Sequence, residues 1–215
     1  MFLIEKIEMS NPDVNREFSE FGGRMKVIAI LTLISVVIGI FTGINASAGF
    51  FDAVIGFVVF IFYILILGDI KSAGVMLNNR NLLSFRSKII TSFILGIIGM
   101  IIFTTGLAGI GITIFFIGNL ILLPIPVTIV IIGIIVLLIT AILQIQAWGS
   151  LESFFTNNTT LFPQEIANDA RTGAKLCKIG AIFDITVILM FIGDILRVIG
   201  YFKLAPLEYL EHTSK

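Results

Sequence analysis

The chain has 215 residues, of which 57% are hydrophobic, 13% are charged and 20 are phenylalanine, with a mean hydropathy of +1.08; a soluble domain carries roughly 25% charge, so the composition belongs in lipid. Lys+Arg and Asp+Glu balance at 14 each, which gives no global field to draw nucleic acid or an acidic substrate. One cysteine, Cys177, and one histidine, His212, exclude an intrachain disulfide and a Cys/His metal site within one chain.

The N-terminal MFLIEKIEMS interrupts its apolar positions with Glu5, Lys6 and Glu8, so it lacks the basic and apolar regions of a cleavable signal peptide. Phe2, Leu3, Ile4, Ile7 and Met9 suit a helix lying on a membrane surface, with a partly frayed cytoplasmic arm as the alternative. SNPD (10–13) offers a cap with proline at the first helical position, and Val14, Phe18 and Phe21 line one side of a short amphipathic turn that Gly22 and Gly23 are expected to break. Residues 1–26 are therefore expected to form an amphipathic cytoplasmic or interfacial arm, 27–204 the transmembrane domain and 205–215 a polar C-terminal tail.

A helix needs about 20 apolar residues to cross the hydrocarbon core. Such runs fall at 27–47, 50–70, 89–110, 125–147 and 179–200, predicting an all-α, polytopic transmembrane bundle of about five spans. No charge occurs between 89 and 151, so that length holds either two spans or three. The positive-inside rule decides between them. Lys6, Arg16, Arg24 and Lys26 precede the first span, Lys71, Arg80, Arg86 and Lys88 follow the second, and Arg171, Lys175 and Lys178 precede the last. Two spans between 88 and 152 put all 11 of these, out of 14 basic residues, on the cytoplasmic side of a plasma membrane. The N-terminus is then cytoplasmic and the tail, with Glu208 and Glu211, outside. GIGITIFFIGNLILLPIP (109–126) becomes an outer-leaflet excursion closed by Pro124 and Pro126, of the broken or re-entrant kind tolerated only where protein or water covers the backbone. A glycan at Asn157 or Asn158 of NNTT, predicted inside, would overturn this topology.

Membrane helices associate by close packing, for which small residues four apart are the usual device. Ser35, Gly39, Gly43 and Ser47 follow that spacing in the first span, and Ser92, Gly96, Gly99 and Gly106 share a similar stripe in the third. Both stripes are expected to hold the chain's own helices together. ILILGDIK (64–71) and ILMFIGDILR (188–197) share Gly-Asp-Ile followed by a basic residue, which fits either an ancient duplication of the transporter kind or chance within an apolar alphabet.

Ionisable residues inside a bilayer cost roughly 2.5–3.5 kcal/mol on insertion scales and are paired, buried against protein or functional. With five spans, Asp69 and Asp184 lie toward the cytoplasmic leaflet, and Asp52, Asp194 and Arg197 lie toward the outer one. Arg197 shares a face with Gly193 and Gly200 and reaches Asp194 three residues back, or Asp52 across the bundle. A paired anchor near the outer interface is the structural expectation, and a proton or cation path through Asp184 and Asp194 is the functional one. Spans three and four add only Thr, Ser and Asn119 with Gln144 and Gln146. No phosphate loop, zinc-protease, serine-hydrolase or paired-Cys signature is present. Cys177 lacks an activating base and reads as an inert interfacial thiol, while Trp148 fits the interface belt at the inner end of span four.

LGDIKSAGVMLNNRNLLSFRSKI (67–89), and ARTGAKLCKIGAIFDITVILMFIG (170–193) running into YFKL, together resemble an archaeal family of multi-spanning membrane proteins known as domain of unknown function 996. The resemblance spans most of 24–204, with Asp184 and Asp194 departing from the apolar residues expected there. It implies an archaeal plasma membrane and an integral helix bundle, and no activity. The sequence thus points to a multi-pass protein without cofactor or catalytic site, in contact with the bilayer and with other membrane subunits or further copies of itself. An accessory or scaffolding subunit is the leading expectation. The alternative is a small transporter or channel using Asp184, Asp194 and Arg197, gated at Pro124-Ile125-Pro126.

Overall fold

Long apolar runs in lipid must satisfy every backbone group internally, which leaves the helix as their solution. The computed structural model describes residues 12–42, 46–117, 120–185 and 190–214, and no strand occurs among them. Six α-helices follow in order: α1 Pro12–Thr42, α2 Ala46–Met76, α3 Arg80–Ile112, α4 Pro124–Asn157, α5 Gln164–Phe183 and α6 Met190–Leu204. Four helices are long and apolar enough to cross a membrane, over Pro12–Gly39, Val54–Met76, Arg80–Phe115 and Pro124–Asn157. Two helices, α3 and α4, therefore occupy the uncharged stretch. They are joined by a π turn at Thr113–Ile117 and a 3-10 turn at Leu120–Leu122, and α4 starts on Pro124, where the missing N–H is not needed. Between α2 and α3 the chain reverses at Asn78, with φ of 47°. Asn79 then caps α3, its side-chain oxygen accepting from the N–H groups of Asn81 and Leu82 at 3.0 and 3.4 Å.

Three antiparallel hairpins, α1–α2, α3–α4 and α5–α6, make the bundle. At 31 to 34 residues, α1 to α4 run about 45–50 Å, against a hydrocarbon core of about 30 Å. The core sits at the end that carries the basic residues. Phe18 stacks on Phe154 with centroids 5.5 Å apart and meets Phe162 edge-on at 5.1 Å, while Phe21, Phe85, Leu151 and Phe155 are fully buried beside them. Toward the other end, Ile97, Ile101, Ile131 and Ile135 all lie exposed on the surface of α3 and α4. This division follows from the solvent. Water drives apolar side chains together where the helices leave the bilayer, whereas in lipid no such force acts and helices need only shape complementarity.

Several sequence expectations change. The predicted fifth span, 179–200, is not one helix: it straddles the reversal between α5 and α6. At 15 residues α6 is about 22 Å long, too short to cross. The segment after α6 consequently lies against the start of α1, so the C-terminal residues share the end of the bundle occupied by α1's first turns instead of lying opposite. The expected break at Gly22-Gly23 and the boundary at residue 26 are also absent, because α1 runs through both. Gly22 serves close approach: a Cβ there would lie 2.8 Å from the Leu207 carbonyl carbon. Residues 205–214 are not a loose polar tail but a 3-10 segment with Leu207 and Leu210 buried. Ser19 donates to the Glu208 carbonyl at 2.7 Å and Lys26 pairs with Glu208 at 3.0 Å. Val14 and Phe18 face the protein core rather than a membrane surface, and Trp148, expected in the lipid interface belt, is 2% exposed against Phe85 and Tyr201.

Candidate functional site

The α5–α6 hairpin is closed by two glycine pairs spaced by seven residues. A Cβ on Gly173 would lie 2.6 Å from the Gly200 carbonyl oxygen, and one on Gly180 would lie 2.7 Å from that of Gly193. Two helical turns separate successive contacts, so each helix presents a smooth face and the backbones touch. At the tip, the Asp184 and Ile185 N–H groups donate to the Gly180 and Ile182 carbonyls at 3.2 Å each, ending α5. Cys177 is fully buried in this seam, its Sγ 4.0 Å from the Arg197 carbonyl oxygen, instead of at an interface.

Reversal of the chain brings together residues that a straight span would separate. The Arg197 guanidinium bonds the Asp184 carboxylate, donates to Gln144 Oε1 of α4 at 2.8 Å and lies 3.6 Å from Asp194. Asp184 and Asp194 therefore lie at one depth in the bundle, both beside Arg197, instead of near opposite ends of a straight span. Gln144 sits about 20 Å from the Asn157 end of α4 and about 30 Å from its Pro124 end, so the cluster is inside the bundle. Side-chain exposure falls from 36% at Asp194 to 20% at Asp184 and 17% at Arg197. One Asp184 oxygen, Oδ1, is buried without a hydrogen-bond partner.

Beside the cluster lies a cavity of about 210 Å³, bordered by Thr32, Tyr63, Ser92 and Gln144 with Asp194, Arg197 and Tyr201. Five of the six helices contribute to it. The Tyr63 and Tyr201 hydroxyls hydrogen-bond each other across its wall, and Trp148 packs on Tyr201 at 6.0 Å. Val59, Ile89, Phe93 and Trp148 complete a wall that is mostly apolar, and the polar groups gathered on one side of it suffice to hold a few waters or a small solute. Its charges are unequal: one guanidinium faces two carboxylates, and Asp194 is the one without a direct hydrogen bond to it.

The remaining predicted residues scatter. The side chains of Asp52, Gly43 and Ser47 lie outside the described residues. Ser35 is half-buried, and a Cβ on Gly39 would meet no atom within 4 Å among the described residues. Ser92 is buried and donates to the Ile89 carbonyl. A Cβ on Gly96 would touch Thr140 at 3.4 Å and one on Gly99 would meet Leu137 at 3.0 Å, so this stripe faces α4. The two Gly-Asp-Ile copies sit differently: Gly193 is pressed against α5, whereas Gly68 borders open space.

Sequence reasoning missed Tyr63 and Tyr201 as lining groups and named Gln144 only among the sparse polar groups of the third and fourth spans. It also missed Arg24, which bonds buried Asp69 of α2, Glu20 at 2.6 Å and the Leu65 carbonyl at 3.3 Å. The signal for Arg24 was its place near the basic end opposite Asp69; the tyrosines carried none. No group of three or more His, Cys, Asp or Glu side chains placed to hold a metal ion occurs among the described residues. Comparison with protein-family models, curated proteins and solved structures finds no match for this chain, so any functional reading rests on its own geometry.

Proposed function

We propose that this is an integral membrane protein that takes a small cation, or a proton, into the cavity beside Asp194 and passes it across the bilayer. The observation that carries the reading is the surplus carboxylate of Asp194 at the polar side of a cavity among five helices. Unbalanced charge inside a bundle is costly and marks ion pathways and relays. Half-length helices meeting at such a site are a recurring device for exposing polar groups at depth without an unsatisfied lipid-facing backbone. By the positive-inside rule the basic end of the bundle faces the cytoplasm, and with it both Lys26 and Glu208. The resemblance to the archaeal family proposes an archaeal plasma membrane as its home and adds no activity.

A second reading, an accessory subunit, is favoured by one specific fact: Arg197 is satisfied internally, by Asp184 and Gln144, as an anchor would be. Flux separates the two. Purified protein in sealed vesicles is assayed for proton and monovalent-cation entry with a pH-sensitive dye and ion-selective electrodes, beside Asp194→Asn. Entry that falls to the protein-free rate in a correctly folded Asp194→Asn variant supports transport. Wild-type vesicles no leakier than empty ones, or an unaffected variant, would sink it and leave the anchor reading.

A further inference from the structure

We infer a binding site for an anionic phospholipid in the groove between α2 and α3, with the lipid phosphate on Arg86 and one acyl chain along the groove. The groove has a volume of about 370 Å³ and is lined by Phe60, Ile64 and Leu67 of α2 and by Ile90, Ile94 and Ile97 of α3. Gly68 and Arg86 border its basic end. Ile64, Ile94 and Ile97 are each more than half exposed, so the groove opens to the bilayer.

Arg86 is what gives the groove a preferred occupant. Three arginines among the described residues are half-buried, Arg24, Arg86 and Arg197. Arg24 meets Asp69 and Glu20, and Arg197 meets Asp184 and Asp194. Arg86 has no hydrogen bond or ion pair among the described residues, and its Nε is buried without a partner. A guanidinium so placed presents a planar fork of donors that matches a phosphate. Register supplies a second cation: Leu82 and Leu83 pack where a Cβ on Gly74 would lie, which puts exposed Lys71 level with Arg86. Basic pockets between membrane helices on the cytoplasmic side are typical seats for anionic headgroups. From Arg86 to Ile97 the groove follows α3 for about 16 Å, the depth of one leaflet. An acyl chain fills that length with no polar group opposite it.

Native mass spectrometry of the full chain in mild detergent, with phosphatidylglycerol or phosphatidylcholine added at equal concentration, tests the site. One phosphatidylglycerol should stay bound, with phosphatidylcholine retained at least about tenfold less, because its choline ammonium cancels the net charge that Arg86 and Lys71 attract and is repelled by both. Arg86→Gln should remove that preference. Gly68→Phe projects a ring into open space, since no atom lies within 4 Å of a Cβ there, and should lower retention by blocking the chain while the melting temperature holds; it decides the matter should Arg86→Gln misfold. Equal retention of the two lipids, an Arg86→Gln variant that keeps the preference, unchanged retention in Gly68→Phe, or a second protein chain bound in place of lipid would each overturn the site.

Discussion

Arg197 and Asp184 stand 13 residues apart in sequence and bond across the tip of the α5–α6 hairpin, with Gln144 of α4 completing the guanidinium's contacts at 2.8 Å. The pair thus ties three helices at one depth. Removing one member of a buried ion pair leaves the other uncompensated, whereas removing both does not. Arg197→Gln should destabilise the protein in detergent by about 3 kcal/mol. The double variant with Asp184→Asn should lose less than the two single losses combined, by more than about 0.5 kcal/mol. Thermal unfolding of the four proteins of the cycle checks this, and strictly additive losses would show that the bond contributes nothing.

Glycine at 200 is fixed by contact, glycine at 39 is not. A Cβ at Gly200 would lie 2.6 Å from Cys177 Sγ and 2.8 Å from the Gly173 carbonyl oxygen, so Gly200→Ala must spread the hairpin at a cost of about 1–3 kcal/mol. Gly39→Ala enters open space and should be neutral or stabilising by up to about 1 kcal/mol through helix propensity. Melting temperatures of the two variants measured side by side give the contrast directly.

The 3-10 segment after α6 contributes through its apolar residues more than its charges. Leu207 is fully buried, and Leu207→Ala should cost about 2–5 kcal/mol. Lys26 and Glu208 are 46% and 38% exposed, so Lys26→Ala should cost under about 1 kcal/mol, less in high salt. Denaturation at two ionic strengths distinguishes the two contributions, since only the second responds to salt.

Chain direction has a test of its own. In a background where Cys177 is replaced by serine, single cysteines at exposed Thr160, exposed Tyr209 and Leu122 are challenged with an impermeant thiol reagent in sealed vesicles. Thr160 and Tyr209 should label from one side and Leu122 from the other. Labelling of Thr160 and Tyr209 from opposite sides would restore a fifth crossing and refute the hairpin.

The all-α class and four helices long and apolar enough to cross a membrane were legible, because hydropathy over 20 residues is a property of a one-dimensional stretch, although the first predicted span, 27–47, runs past the end of α1 at Thr42 and its Ser47 belongs to α2. The fifth crossing misled for the same reason. Residues 179–200 satisfy an apolar window, and nothing local shows that Asp184 ends one helix. Two signals were on hand: glycines at 173 and 180 matched by glycines at 193 and 200, and Lys203, which a straight span would carry away from the other basic residues but which pairs with Asp169 at 2.8 Å.

What the sequence by itself determined is the all-α class, the apolar runs that become the four long helices and which end of them is basic, since backbone satisfaction in lipid and loop charge act locally. Only the tertiary structure decided where α5 and α6 turn back, that Asp184 joins Asp194 beside Arg197, and that Tyr63, Tyr201 and Gln144 share a cavity with Asp194. Those outcomes depend on how closely two glycine faces approach and on which polar groups are then left at one depth, and that is a property of packed helices and not of any single one.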